Sequence, residues 1–98
     1  MIIGRRKRGG TLPVLKYRAL RALLESLPGD GVMSYREMER VMSNGSGASI
    51  SYVRDIIHEL ILLAVCERVR YGWHRIDRDK LKKYLEQFER ELRRRGVG

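Results

Sequence analysis

The sequence predicts an α+β domain that is mostly helical, on three observations. Apolar residues recur at helical spacing in four separate segments, one stretch alternates apolar and charged residues about a two-residue turn, and clusters of Gly, Pro, Ser and Asn fall between them. Ninety-eight residues at 43% hydrophobic suffice for one modest core and not for two. The chain divides into a disordered basic arm over 1–10, a main domain over 11–77, an amphipathic helix over 78–95 and a tail over 96–98. Net charge is +9 and the isoelectric point is near 10.3, which points to a polyanionic partner. That charge sits mainly at the ends: Arg5, Arg6, Lys7 and Arg8 carry +4, residues 90–98 carry +3, and everything between carries only +2.

Each element follows from its residues. "GRRKRGG" at 4–10 joins like charges to glycines and is expected to be disordered. A helix is expected from Thr11 as cap, with Pro13 in its first turn and Tyr17, Leu20, Leu23, Leu24 and Leu27 on one stripe. Pro28-Gly29-Asp30-Gly31 stops it. Val32-Met33 reads as a short extended piece, and "SYRE" at 34–37 has the form of a capping box. A short second helix follows, with Met38, Val41 and Met42 inward and the polar "SNGSG" closing it. The third opens near Ser49 and carries Val53, Ile56, Ile57, Leu60 and Ala64 on its buried stripe. "VCERVRYGWHRID", 65–77, reads as a hairpin turning at Tyr71-Gly72, with Arg70 opposite Trp73. That register puts Val65, Val69, His74 and Ile76 on one face and Arg68, Arg70, Trp73 and Arg75 on the other, with Cys66 and His74 apart. The last helix starts at an Asp77 cap, and Leu81, Tyr84, Leu85, Phe88 and Leu92 form one apolar side.

This order of helix, short strand, helix, helix and hairpin resembles the winged helix-turn-helix DNA-binding superfamily. "MSYREMERVM" is similar to that family's second helix, "SISYVRDIIHEL" to its recognition helix and "AVCERVRYGWHRI" to its wing. The resemblance spans about residues 12–77; size, arginine content and the appended helix resemble small regulators of archaea and their viruses. It implies a recognition helix of about 49–63 in a major groove and a wing of 65–77 on the backbone or minor groove. On that reading Val53, Ile57 and Leu60 are inward anchors, and Ser51, Tyr52, Arg54, Asp55 and His58 point outward. Arg54 is the candidate for bridging guanine. Ser49, Ser51 and Tyr52, at the helix start, suit phosphate oxygens. Arg68, Arg70 and Arg75 would hold phosphates, with Trp73 over sugar or, alternatively, capping the domain's own core. The arm Arg5, Arg6, Lys7 and Arg8 would enter a minor groove or add affinity by counterion release.

The implied function is a sequence-specific double-stranded DNA-binding protein, a transcriptional regulator that binds as a homodimer. Leu81, Tyr84, Leu85, Phe88 and Leu92, with Leu62, are the candidate dimer interface, the alternative being that the last helix folds back. Other readings stay open: an architectural or partition protein coating DNA, an RNA-binding or ribosome-associated winged helix, or a winged helix used only for protein contacts. One departure from the family stands out. Ile61 and Leu62 occupy positions that are usually polar, and Ala64 stands where relatives carry a left-handed Gly. Leu62 then lies in line with Ser51, Asp55 and His58, needing cover from the last helix or from a subunit contact.

Little else suggests chemistry. His58, Cys66 and His74 lie eight residues apart, unlike the tight pairs of structural zinc sites. Asp55 and His58 have no accompanying nucleophile, and a helix start accounts for Asp77 and Asp79. No metal, cofactor, small-molecule ligand or enzyme activity is expected. One cysteine forms no internal disulfide, Met1–Ile3 is too short for a signal peptide, and no apolar run approaches the roughly 20 residues of a membrane span. The expectation is a soluble cytoplasmic protein, nucleoid-associated or in the host cytoplasm if viral, that makes no membrane contact.

Overall fold

The structure, a computed structural model, describes residues 2–94 and 96, with side chains from residue 13 onward. Its elements are α1 (Ile2–Ser26), β1 (Val32–Ser34), α2 (Tyr35–Ser46), α3 (Ile50–Leu62), β2 (Cys66–Arg70), β3 (Trp73–Ile76) and α4 (Arg78–Arg94). The fold is α+β and mostly helical, as expected, with a three-stranded antiparallel sheet in the order β1-β3-β2.

The amino-terminal segment departs from the expected disorder. The backbone is helical from Ile2, so the start expected at Thr11 lies within α1 and Pro13 is interior. Arginine and lysine are good helix formers, so a run of like charge does not forbid a helix. Pro13 removes one i→i−4 hydrogen bond and its ring crowds the carbonyl four residues earlier, a local cost within α1. The side chains of Arg5, Arg6, Lys7 and Arg8 lie outside the described residues.

β1 is the short extended piece, and it has a partner: Val32, Met33 and Ser34 pair with Arg75, His74 and Trp73. Three residues are too few to display an alternating pattern, so only the free edge of β3 reveals the strand. Ser34 caps α2, its Oγ accepting from Glu37 N at 3.1 Å. Half of the expected capping box forms, because the Glu37 carboxylate turns to Arg40. α2 also runs further than expected, to Ser46. Its "SNGSG" end is tightly bonded rather than loose. The buried Ser46 donates to Met42 O at 2.7 Å and accepts from Ala48 N at 3.0 Å, and Ser43 Oγ donates to Ala48 O at 2.7 Å. Gly47 takes the left-handed cap position at φ 79°, and Gly45 lies so close to α1 that a Cβ there would overlap the Cβ of Ala22.

α3 begins at Ser49, whose Oγ accepts from Tyr52 N at 3.2 Å, and buries Val53, Ile56, Ile57 and Leu60. It ends earlier than the apolar stripe suggested. Ala64 N donates to Ile61 O at 3.0 Å and Val65 N to Leu60 O at 2.9 Å, the two bonds of a Schellman cap. Ala64 is therefore not a core residue: it is exposed and left-handed at φ 62°, the one non-glycine at positive φ among the described residues.

In the hairpin, the expected pairing of Arg70 with Trp73 is present, but a bulge lies between Arg68 and Arg70. Beyond the bulge, parity reverses, because Val69 is an extra residue on β2. Cys66 pairs with Ile76 and is buried, Glu67 pairs with Arg75, and Arg68 pairs with His74. Arg68 thus leaves the outward face assigned to it and joins His74, Cys66 shares the side of His74, and Val69 is 38% exposed rather than buried.

α4 is capped by Asp77, whose Oδ1 accepts from Lys80 N at 3.0 Å. Its apolar side packs on its own chain: Leu81, Leu85 and Leu92 are buried, and Tyr84 and Phe88 lie against the core built from α1, α2, α3 and the sheet. Of the two arrangements expected for this helix, the fold-back onto its own domain is the one that the chain shows. Lys16 of α1 ties the layers together, with Nζ 2.6 Å from Glu59 Oε1 of α3 and 5.6 and 5.2 Å from the ring centres of Tyr84 and Phe88. Glu89 and Arg93 pair at 2.9 Å along α4. Leu62 lies outside this cover and is 86% exposed. Among the described residues no helix is long and apolar enough to cross a membrane.

Candidate nucleic-acid interface

Capping Ser49 and the inward stripe of α3 fix which of its residues face water. Ser51, Arg54, Asp55 and His58 are exposed, while Tyr52 is not an outward residue: it is half-buried against the core. Burial raises the Tyr52 phenol pKa, with Lys16 opposing and Glu59 and Asp55 adding to the rise. Ser49 is exposed, although its hydroxyl oxygen already accepts the bond from Tyr52 N.

Arg54 is not a free cation. Its Nε donates to Glu39 Oε2 of α2 at 2.6 Å, and that carboxylate side chain is only 13% exposed. Sequence reasoning missed Glu39, because a separation of fifteen residues leaves no local pattern. Tyr35 was also missed, as it stood inside the capping box. Its ring packs against His74 with centroids 5.6 Å apart, and its phenol pKa is raised by burial first and then by Glu39, with Arg54 opposing.

The helix and the hairpin meet around an open cleft of about 620 Å³, lined by Tyr35 of α2, His58 and Ile61 of α3, and Arg68, Tyr71 and His74 of the hairpin. The backbone holds this arrangement: Tyr35 N donates to Gly72 O at 2.9 Å, anchoring the start of α2 to the hairpin turn. Arg68 makes no ion pair among the described residues. His74 is buried, and its Nδ1 has no hydrogen-bond partner among the described residues. Desolvation first, then the Arg68 charge, holds the His74 pKa below the ordinary histidine value.

Arg70, Trp73 and Arg75 occupy the other side of the sheet. The Arg70 guanidinium lies 5.3 Å from the Trp73 ring centre, and Arg75 approaches Glu67 at 3.8 Å. Trp73 also lines a smaller cleft with Pro28, Ser34 and Glu37, so it is neither a free platform nor a core cap. The basic residues of the hairpin therefore split between two faces, with Arg68 alone beside α3. Comparison with protein-family models, curated proteins and solved structures finds no match to this chain.

Proposed function

We propose that this protein is a winged-helix, sequence-specific double-stranded DNA-binding protein acting in transcriptional regulation. On this reading α3 lies in the major groove and the β2–β3 hairpin is the wing. The observation that carries the reading is the shared cleft. His58 from the exposed face of α3 and Arg68 from the hairpin, which makes no ion pair among the described residues, open onto one concavity between helix and hairpin. Tyr35 and Tyr71 line the same cleft. Ser51 and Arg54 extend the polar surface along α3, and Arg70 and Arg75 supply cations on the hairpin's far side.

Base readout is favoured over coating because Arg54 is held in a defined position, whereas a protein that only neutralises phosphates gains nothing from pairing its arginine with a carboxylate. Selection of bound sequences from a random duplex pool tests the proposal. A regulator should enrich one sequence and prefer it over random DNA by at least about a thousandfold. A ratio near one would leave the coating reading, and stronger binding to RNA would leave the ribonucleoprotein reading. The same data report symmetry: a palindromic site would call for a homodimer, whose contact would fall to the exposed Leu62 rather than to α4.

A further inference from the structure

We infer that Glu39 is a positioning residue for base recognition: it fixes the Arg54 guanidinium so that its outer edge is presented to a guanine. The inference rests on the DNA-reading function proposed above and names what sets its specificity.

The geometry is particular. Glu39 projects from the middle of α2 and Arg54 from the first half of α3, and the pair spans the junction of the two helices at 2.6 Å. The contact uses Nε, the nitrogen nearest the backbone. A guanidinium has five N–H donors, and engaging the inner one leaves the four on the two Nη atoms, the pair whose spacing matches O6 and N7 of guanine. Those Nη groups make no hydrogen bond among the described residues.

Burial separates this pair from an incidental surface contact. The Glu39 side chain is 13% exposed whereas that of Arg54 is 60% exposed, so the carboxylate is the fixed partner and the arginine the presented one. Its supports are fixed as well: α2 is anchored by Ser34 capping, by Met38 and Met42 in the core, and by the bonded turn through Ser46 into Ser49. An arginine on a long flexible stem loses rotamer freedom when it binds, and prior restraint by Glu39 removes part of that cost. The negative charge acts in the opposite direction on sequence-independent binding, because it offsets one cation near the phosphates. Glu39 therefore trades general affinity for selectivity.

Removal of Glu39 should thus move two quantities in opposite directions, which a merely structural role would not do. Random-pool selection and competition binding with wild type, Glu39→Ala, Glu39→Gln, Arg54→Ala and the Glu39→Ala/Arg54→Ala double variant provide the test. Guanine preference at one position should fall about tenfold in Glu39→Ala, while binding to random duplex at low salt becomes tighter. Glu39→Gln retains an oxygen to accept from Nε and should keep most of the preference; where the alanine variant folds poorly, Glu39→Leu, which keeps the volume without the acceptor, should show the same loss. The double variant should lose no more selectivity than Arg54→Ala alone.

A guanine preference that persists in Glu39→Ala, or additive losses in the double variant, would overturn the inference and leave the functional proposal standing. So would an Arg54→Ala variant that selects the same sequence as wild type. Failure of the wild-type protein to enrich any duplex would overturn both.

Discussion

At the scale of single residues, Ala64 and His74 carry local costs that the rest of the fold sustains. Ala64 closes α3 in a left-handed conformation that its Cβ disfavours by about 1 kcal/mol or slightly more. The Schellman bonds of Ala64 and Val65 and the burial of Val65 hold it there. Ala64→Gly should therefore stabilise the protein by about 1 kcal/mol, seen as a higher urea midpoint at unchanged slope. His74 gives a pH dependence. Its folded-state pKa is depressed by burial and by Arg68, so the unfolded chain binds the proton more readily. The stability associated with neutral His74 is fully present above the unfolded value near 6.5 and is lost progressively as pH falls from there through the lower folded-state pKa. Urea midpoints at pH 8 and pH 5 should differ by less in His74→Phe than in wild type; an equal drop in both would assign the dependence elsewhere. Cys66 illustrates the converse: burial first, with Glu67 adding, pushes its thiol up to about 11, which leaves it inert at neutral pH.

Among elements, the junction of α2 with α1 and α3 is the most demanding. Gly45 lets α2 approach α1 where a methyl group would meet Ala22, and the Ser43 and Ser46 hydroxyls hold the turn that sets the direction of α3. Gly45→Ala should cost roughly 1–3 kcal/mol by overpacking, with partial recovery on adding Ala22→Gly; equal stability of the two single variants and wild type would mean that the helices can separate freely. The hairpin shows how one residue redistributes chemistry. Because Val69 bulges, Arg68 is carried to the side of α3, and without the bulge it would stand with Arg70 and Trp73 on the far face.

For the whole molecule, the consequential finding is that α4 packs on its own domain. Leu81 and Leu85 belong to the common core, and Lys16 bridges α1, α3 and α4 through Glu59, Tyr84 and Phe88. Burial alone would lower the Lys16 pKa, but its bonds to Glu59 and Tyr84 reverse this and leave it raised, so the cation is well retained. Leu85→Ala should cost roughly 2–4 kcal/mol of domain stability, and the loss should be the same at low and high protein concentration. A midpoint that rises with concentration would instead place Leu85 in a subunit contact.

The sequence by itself determined the helical stripe of α4 and that of α3 as far as Leu60, the caps at Ser34 and Asp77, the start of α3 near Ser49, and the pairing of Arg70 with Trp73, because each depends on residues a few positions apart. Of the residues that the family resemblance implied to face outward, Ser51, Arg54, Asp55 and His58 are exposed and Tyr52 is not. Tertiary structure decided the rest. The partner of β1, the reversal of faces at Val69, the Glu39–Arg54 pair, and the packing of α4 against α1 all depend on groups distant in sequence. An apolar face must be buried, and its own periodicity says so, but which surface buries it is settled only by the packing of the whole chain.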